Sequence, residues 1–504
     1  MASDPLILAL DLGLTHAKAV VFAADGRLVE RESVPYPTQR PASDRVEQEP
    51  DDWWSALATA ARVIGRRSPE ILERVEAMSV TGHMHGLVLE GADRRPVGPA
   101  LVLGDRRATR EAEETIDQLG ADWIAHTTGA TLDPSMPAAE LRWLADHEPQ
   151  RLRGATLVTG PKDHLRGRLT DDRLTEPIDA CATSLYDIRR RRWSPELLAA
   201  AGVAQHLMPE VVACETVAGP LLPGPATELG IRQGIPVVVG VGDDVEILGG
   251  GLLDPGEALE HLGTTGSILT VTSEPLDDPR LALELYPHVL PDRWVLGGSM
   301  TTAGAALGWV AGLLGYAGIE DMLSTLDDIV APGRSGEGLA FIASMAGDRC
   351  PVRDPSARGA WVGLDTTFDR RGLARAAFSG VAESLARILR AIEDLAGPHQ
   401  TMIVSAGGVD LDPRWTALRA ATYGLPMATL ESPEPTALGL ATVIATGIGL
   451  HPDVRTAVTA MARRSGEIVG ADRTVKSPDR LRRAASADAA IHSLRIVWPS
   501  LVRS

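Results

Sequence analysis

Apolar residues in the first part of the chain form short runs that end at acidic residues and glycines, a pattern typical of strands joined by tight turns. Residues 6–10 predict a strand that breaks at Asp11, and residues 17–23 predict a second strand. The pair Asp25-Gly26 then predicts a hairpin turn into a third strand over 27–32. We therefore expect the chain to open with an antiparallel meander rather than a βαβ unit.

Further along, apolar residues repeat with helical or strand periods. The uncharged stretch 296–319 contains several glycines and hydroxyl residues, which favours a buried, closely packed helix over a membrane span. After residue 370 helices are expected to dominate. Helices are predicted over 52–63, 106–119, 138–147, 415–423 and 434–445, and strands over 75–80, 236–239, 268–271 and 402–405.

The arrangement of a strand, a turn rich in glycine and hydroxyl residues, and a second strand occurs twice, near residue 11 and near residue 264. It does not recur at a fixed period, so a solenoid or a propeller is excluded. The chain is therefore predicted to have two halves of similar architecture, residues 1–240 and 241–504.

Composition and charge narrow the class of protein. The 504 residues are 44% apolar and 23% charged, which is ordinary for a globular protein, and the net charge is −18. A negative field of that size repels phosphate backbones, so nucleic-acid binding is disfavoured. The 3 cysteines lack C-x-x-C spacing, and the N-terminus lacks the pattern of a signal peptide. We therefore expect a cytoplasmic protein of a reducing compartment with no membrane association.

Several common catalytic motifs are missing from the sequence. No glycine–lysine pair occurs, so a Walker A loop is excluded, and no G-x-G-x-x-G follows a strand. Neither G-x-S-x-G nor H-E-x-x-H is present. The candidate chemistry must therefore lie in less common arrangements.

Two loops of small residues are candidates for phosphate binding. Asp11 ends an apolar strand, and Gly13 and Thr15 after it would let the backbone approach a phosphate beside a Mg²⁺-associated carboxylate. The loop from His261 to Ser267, which includes Gly263, Thr264, Thr265 and Gly266, offers hydroxyls and close backbone approach in the second half. The alternative interpretation is that each loop is an ordinary turn.

Three other segments carry candidate polar chemistry. Asp243, Asp244 and Glu246 follow the strand at 236–239, and they are either a helix capping box or a carboxylate group able to accept a proton. His83 and His85 lie between glycines after another strand, where a histidine either contacts a polar substrate or is structural. The pair Gly407-Gly408, after the strand at 402–405, suits the adenosine end of a nucleotide.

Taken in order, these motifs resemble the FGGY family of carbohydrate kinases, and within it the xylulose kinases. The resemblance extends over about 440 residues of the 504. It rests on Asp11-Leu12-Gly13, Glu47-Gln48-Glu49-Pro50 with Trp53-Trp54, Gly82-His83-Met84-His85-Gly86, Asp105 and Arg107, Met136-Pro137, Pro161-Lys162-Asp163, Gly242-Asp243, Leu262-Gly263-Thr264-Thr265-Gly266, Gly347-Asp348-Arg349, Gly407-Gly408 and Ala437-Leu438-Gly439.

The resemblance implies an α/β fold of two ribonuclease-H-like domains, as in the hexokinase–actin superfamily, with a catalytic cleft between them. It implies sugar binding by the N-terminal half, ATP binding by the C-terminal half, and phosphorylation of a sugar hydroxyl, D-xylulose to D-xylulose 5-phosphate first of all. A homodimer is a further implication. By carry-over the general base is Asp243, the sugar contacts are Met84, His85, Asp105 and Asp244, Asp11 organises Mg²⁺, and the ATP site includes Thr15, Gly263, Thr264, Thr265, Gly407 and Gly408.

The chain departs from the family pattern around the expected sugar and phosphate positions. Leu14 stands where threonine is usual, Leu103-Gly104 replaces tryptophan and asparagine, Asp244 replaces asparagine, and Glu246 replaces a small residue. The alternatives are therefore a kinase of ribulose, erythritol or glycerol, or a sugar- and nucleotide-binding regulator without turnover. An actin-like assembly ATPase would leave the histidine motif without a purpose.

Overall fold

The computed structural model describes residues 5–326, 338–397, 401–406, 412–470, 489, 491–495 and 498. The chain forms two compact units. The first comprises Met1–Leu253, Leu285–Trp294 and Glu434–Arg463, and the second comprises Asp254–Glu284, Val295–Pro433 and Arg464–Ser504. The segment from 434 to 463 therefore belongs to the first unit although it lies late in the sequence.

The strands are as follows: β1 (Leu6–Leu12), β2 (His16–Ala23), β3 (Leu28–Pro35), β4 (Glu47–Gln48), β5 (Val75–Gly82), β6 (Val88–Glu90), β7 (Ala100–Leu101), β8 (Leu157–Thr159), β9 (Leu174–Thr175), β10 (Tyr186–Asp187), β11 (Arg192–Trp193), β12 (Glu210–Val211), β13 (Val217–Pro220), β14 (Pro236–Val238), β15 (Glu257–Leu262), β16 (Gly266–Thr272), β17 (Glu284–Pro287), β18 (Trp294–Met300), β19 (Ala340–Ile342), β20 (Ala360–Val362), β21 (Met402–Ala406), β22 (Met427–Leu430) and β23 (Arg464–Val469).

The helices are as follows: α1 (Pro50–Arg67), α2 (Pro69–Glu73), α3 (Thr109–Leu119), α4 (Ala121–Thr128), α5 (Pro137–His147), α6 (Pro149–Gly154), α7 (Pro161–Thr170), α8 (Pro177–Ala182), α9 (Pro195–Ala200), α10 (Pro223–Leu229), α11 (Glu246–Gly249), α12 (Gly304–Leu313), α13 (Ile319–Leu323), α14 (Arg370–Ala396), α15 (Pro413–Tyr423), α16 (Pro435–Gly447) and α17 (Val454–Met461), with 3₁₀ turns at Gln205–Leu207 and Asp243–Val245.

The main sheet of the first unit has the strand order β13-β14-β5-β1-β2-β3. β1, β2 and β3 pair antiparallel, which confirms the predicted meander, whereas β5 runs parallel to β1. Every residue of β1 is buried, as expected for a central strand covered on both faces. Helix α1 packs against β2 and β3, and α16 packs against β1 and β5. The carboxyl ends of β1, β5 and β14 therefore meet at one edge of the sheet.

The main sheet of the second unit repeats this plan. The strands of this sheet that lie mainly in the second unit follow the order β18-β16-β15-β21-β22-β23. β15 pairs antiparallel with β16 and parallel with β21, just as β1 pairs with β2 and β5. The two units therefore share this strand topology.

The prediction of one buried helix over 296–319 is wrong. The segment contains most of β18 and then α12, and the side chains of Trp309 and Leu313 are 49% and 58% exposed. Gly297 lies in the strand, and a Cβ at this position would lie 2.3 Å from Leu269 Cδ2, so the close packing requires a glycine here. An uncharged stretch rich in glycine carries too little periodicity to distinguish the two element types.

Two simpler features complete the description. Among the described residues, no helix combines the length and the apolar character needed to cross a bilayer. The cysteines Cys181, Cys214 and Cys350 are buried.

Candidate active site

Asp11 lies within β1, and not after the strand as the sequence pattern predicts. The register places it opposite Lys18 on β2, and Lys18 Nζ lies 3.6 Å from Asp11 Oδ2. Lys18 also donates a hydrogen bond of 2.7 Å to Glu434, a residue at the start of α16. Burial raises the pKa of Asp11 even though Lys18 lowers it, and the charges of Glu434 and Glu246 raise it further. The strand continues through Asp11 because a cation stands beside the buried carboxyl.

Asp243 begins the 3₁₀ turn that follows β14. Gly242 is the N-cap of this turn and no side chain caps it, so the capping-box alternative is wrong. Asp243 and Asp244 are half-buried, and Glu246 is 8% exposed. The segment is therefore a carboxylate group at the carboxyl end of a strand, not a helix cap.

Burial raises the pKa of Asp243 well above its ordinary value, and four neighbouring carboxylates raise it further. We call these five residues the acidic cluster: Asp11, Asp179, Asp243, Asp244 and Glu246. All of them lie in the first unit. A carboxylate with a raised pKa is a stronger base than an ordinary aspartate, which suits proton abstraction from a hydroxyl.

Met84 and His85 lie in the loop after β5. A Cβ at Gly242 would lie 2.6 Å from Met84 Sδ, so Met84 packs against the segment that carries Asp243. His85 has a left-handed backbone (φ 64°), and its ring lies 3.0 Å from the Ala182 carbonyl and 3.4 Å from the Tyr286 hydroxyl. The structure thus brings two predicted sugar contacts of the first unit to the edge of the acidic cluster.

His83 and Asp105 have structural partners. His83 is buried edge-on against Trp53, and burial lowers its pKa to about 4, so it is a neutral histidine of the core. The Asp105 carboxylate is fully buried and accepts hydrogen bonds from the Val46 backbone N–H at 2.7 Å and from the Arg107 side chain at 2.8 and 2.9 Å. Asp105 therefore orients Arg107.

In the second unit, the predicted phosphate loop is the turn between β15 and β16. Thr264 and Thr265 are exposed there. The Gly263 and Thr264 carbonyls accept hydrogen bonds of 3.0 Å from the N–H groups of Gly304 and Ala303 at the start of α12, which fixes the turn. Exposed hydroxyls on such a braced turn suit phosphate oxygens. Gly407 and Gly408 lie outside the described residues.

Comparisons with known proteins identify the family of the chain. Residues 6–249 match the N-terminal domain of the FGGY family of carbohydrate kinases, and residues 259–447 match its C-terminal domain. The xylulose kinase of Escherichia coli (strain K12) is 30% identical over 404 residues, which are 80% of this chain and 82% of the relative. The chain belongs to the FGGY family of carbohydrate kinases. It is accordingly an ATP-dependent sugar kinase.

Two other proteins that are similar to this FGGY kinase are named for a different substrate, gluconate. The gluconokinase of Bacillus subtilis (strain 168) is 26% identical, covering 86% of each chain. The gluconate kinase structure from Lactobacillus acidophilus superposes with a TM-score of 0.90 at 21% identity, covering 99% of this chain and 100% of that one. The fold of two FGGY domains is therefore established, whereas the named relatives act on more than one sugar.

The residues around Asp11 fit a magnesium ion. Mg²⁺ prefers carboxylate oxygens, and it is usually held by one or two protein carboxylates together with substrate phosphates and water. Across the described parts of the chain, no three His, Cys, Asp or Glu side chains are grouped as a complete metal cage. The acidic cluster of this FGGY kinase offers the open kind of site instead, with Asp11 as the candidate ligand.

Sequence reasoning missed two buried carboxylates of the first unit, Glu176 and Asp179. The fully buried Lys162 contacts both, with Nζ 3.9 Å from Glu176 Oε1 and 3.3 Å from Asp179 Oδ2. Lys162 also donates to the neighbouring Asp163 at 2.5 Å. The motif Pro161-Lys162-Asp163 was singled out only for its resemblance, and its partners could not be read from spacing.

Glu140, on α5, is a third missed residue. Its side chain is fully buried, and neither carboxyl oxygen has a hydrogen-bond partner. Burial raises the pKa of Glu140 well above its ordinary value, and the nearby Asp105 raises it further while Arg107 lowers it. The helical pattern contained a signal, because Glu140 shares a helix face with the buried residues Trp143 and Leu144.

Replacing Glu140 with glutamine is expected to increase the free energy of unfolding by about 1–3 kcal/mol at pH 8. The folded protein keeps the Glu140 proton at pH values where the unfolded chain has released it. Stability is therefore lost as the pH rises from about 4.3, the ordinary pKa of glutamate, through the raised pKa of the folded state. Urea unfolding at pH 5 and pH 8 measures the difference.

The matched control for this prediction is Glu113→Gln, because Glu113 is exposed on α3. It should leave the free energy of unfolding unchanged within about 0.5 kcal/mol at both pH values. A Glu140→Gln variant that gains nothing at pH 8, or gains equally at pH 5, would contradict the interpretation of Glu140 as a buried, protonated carboxyl.

Proposed function

We propose that this FGGY kinase phosphorylates D-xylulose to D-xylulose 5-phosphate with MgATP as donor and Asp243 as general base. The observation that carries the proposal is the raised pKa of Asp243 within the acidic cluster, beside Met84. Such a carboxylate can accept the proton of the sugar hydroxyl. The hydroxyl oxygen then bonds to the γ-phosphorus of ATP, and the bond between that phosphorus and the ADP oxygen breaks. Phosphoryl transfer otherwise depends on positioning and charge neutralisation.

The remaining candidate residues have supporting roles in this proposal. Met84, His85 and Asp244 contact the sugar, and Asp105 acts by orienting Arg107. Asp11 holds Mg²⁺, which neutralises phosphate charge when it is bound. In the second unit Gly263, Thr264 and Thr265 bind phosphate, and Thr15 does so in the first. The roles of Gly407 and Gly408, the boundary at residue 240, the homodimer and the cytoplasmic location stay predictions.

A neutral ketose is favoured over gluconate by the electrostatics of the first unit. Four carboxylates raise the pKa of Asp243, so the potential at the proposed base is negative. A sugar acid would bring a further negative charge to this region, at a Coulombic cost that depends on local screening. Gluconate, the substrate named for two of the similar proteins, is therefore disfavoured relative to neutral xylulose.

The direct test is an ADP-release assay with MgATP and a panel of C3 to C6 ketoses, polyols and gluconate. We expect D-xylulose to give the highest kcat/KM, and Asp243→Ala to abolish its turnover. Preferred turnover of ribulose, erythritol, glycerol or gluconate would overturn the choice of sugar. Silence across the panel with ATP still bound would point first to a substrate outside the panel and second to the regulator alternative.

Asp244→Asn is expected to raise the kcat/KM for gluconate relative to D-xylulose by about tenfold, the size of a partly screened interaction between two unit charges. Asp244 is half-buried beside the proposed base, and asparagine keeps its shape while removing its charge. The measurement is the same panel run on the variant and the wild type. An unchanged ratio of the two kcat/KM values would show that Asp244 does not select the substrate.

A further inference from the structure

The backbone of Gly242, the residue before Asp243, is hydrogen-bonded to a buried carboxylate. Its backbone N–H donates a hydrogen bond of 3.0 Å to Glu176 Oε1. Glu176 is fully buried and is also the N-cap of α8, accepting hydrogen bonds from the backbone N–H groups of Ile178 at 2.6 Å and Asp179 at 3.1 Å. One side chain therefore fixes both the start of α8 and the segment that leads into Asp243.

Side chains of the same unit pack against Gly242. A Cβ at this position would lie 2.6 Å from Met84 Sδ and 2.9 Å from Asp179 Oδ1. Glycine is thus required here for close approach. The Gly242 backbone is therefore confined by the hydrogen bond to Glu176 and by packing against Met84 and Asp179.

The buried cation Lys162 contacts the carboxylates of both Glu176 and Asp179. Lys162 Nζ lies 3.3 Å from Asp179 Oδ2 and 3.9 Å from Glu176 Oε1, and it is fully buried. Cys214 Sγ lies 3.6 Å from Glu176 Oε2 and donates to it. A carboxylate surrounded by so many donors has few rotamers open to it, so its position is well defined.

We propose that Glu176 is a positioning residue for phosphoryl transfer, which fixes the Gly242 backbone and thereby the carboxylate of Asp243. The inference rests on the proposed role of Asp243 as general base. Glu176 itself touches no reacting atom. Loss of Glu176 is expected to slow phosphoryl transfer, because a displacement of the base by about 1 Å lowers the rate by about 10²-fold.

The test compares steady-state kinetics of Glu176→Ala, Glu176→Gln and Gly242→Ala with the wild type, using MgATP and the best sugar of the panel. We expect Glu176→Ala to lower kcat by about 10²-fold, with the KM of the sugar within about threefold of the wild-type value. Glu176→Gln keeps one acceptor oxygen and should recover a part of the lost kcat. Rates are expressed per folded enzyme, from thermal unfolding of each variant.

A matched control separates positioning from helix capping. Ser194 caps α9 of the same unit through a hydrogen bond of 3.3 Å from the Leu197 N–H. Ser194→Ala should therefore lower the melting temperature as a lost cap does, and leave kcat unchanged. A Glu176→Ala variant whose kcat per folded enzyme also stays within threefold of wild type overturns the proposal.

Gly242→Ala keeps the proposal testable if Glu176→Ala does not fold. Its Cβ displaces the same segment by steric contact, so kcat should again fall more than KM changes. In the double variant Glu176→Gln/Gly242→Ala the two losses in kcat should be less than multiplicative, because both act on one segment. Multiplicative losses would mean that Glu176 and Gly242 act independently, and would also overturn the proposal.

The failure of this inference can be told from the failure of the proposed function. If Asp243→Asn keeps wild-type kcat, the base assignment is wrong, and the positioning role falls with it. If Asp243→Asn is inactive while Glu176→Ala, Glu176→Gln and Gly242→Ala keep wild-type kcat, only the positioning role is wrong.

Discussion

Asp243→Asn is expected to lower kcat for sugar phosphorylation by about 10²–10⁴-fold, the contribution typical of a general base. The amide cannot accept the hydroxyl proton, whereas its shape is close to that of the carboxylate. The variant should also be more stable than the wild type at neutral pH, because burial and four neighbouring carboxylates make the Asp243 charge unfavourable in the folded state. A substitution that lowers activity and raises stability is typical of a residue that serves function at a cost in stability.

The measurements are kcat in the ADP-release assay and the melting temperature of the same preparation. Asp117→Asn is the matched control, since Asp117 is exposed on α3, and it should change neither quantity. Retention of more than about a tenth of the wild-type kcat by Asp243→Asn would contradict the proposed base.

Lys162→Met is expected to lower the free energy of unfolding by about 3–5 kcal/mol, as the loss of one partner from a buried ion pair does. Burial lowers the pKa of Lys162, but the charges of Asp163, Asp179 and Glu176 raise it more, so the lysine is charged. Without it, three buried carboxylates lose a common cation. Urea unfolding followed by tryptophan fluorescence measures the loss.

Two comparisons make this prediction specific. Arg168→Met removes a positive charge from the same helix, but the Arg168 side chain is 35% exposed, so its loss should cost about 1 kcal/mol or less. Adding Asp179→Asn to Lys162→Met should restore a part of the stability, because it removes one of the buried carboxyl groups that lost the contact with Lys162. If Lys162→Met is as stable as Arg168→Met, the prediction is wrong. In that case Asp163, Asp179 and Glu176 do not need the lysine charge for the stability of the fold.

The sequence predicted the main strands of the first unit because their patterns are local. The meander and the strand at 75–80 are both confirmed, and each depends on apolar runs and a turn of a few residues. β1 extends past its predicted end because Asp11 is stabilised by Lys18 across the hairpin. That compensation depends on strand pairing, which hydrophobic periodicity alone does not contain.

Motifs in the sequence mark Asp243, Met84 and His85, and their roles stay predictions. Glu176 could not be found in this way, because its defining contact is with Gly242, 66 residues later in the chain. Nor does a glutamate at a helix start indicate by itself whether it faces water or a buried lysine. Asp105 shows the opposite case, in which a marked carboxylate has both oxygens occupied by Arg107 and Val46.

The membership of α16 and α17 in the first unit bears on how the protein is made. β1 and β5 are buried under α16, yet the ribosome delivers α16 only after most of the second unit has been synthesised. At about 5–20 residues per second, this delay is on the order of 10–40 s. During that interval the nascent chain exposes an apolar sheet face and an Asp11–Lys18 pair that still lacks Glu434. During synthesis of this kinase, the first unit therefore stays incomplete until its last helices have been made. We expect chaperones to bind the exposed apolar face during that interval.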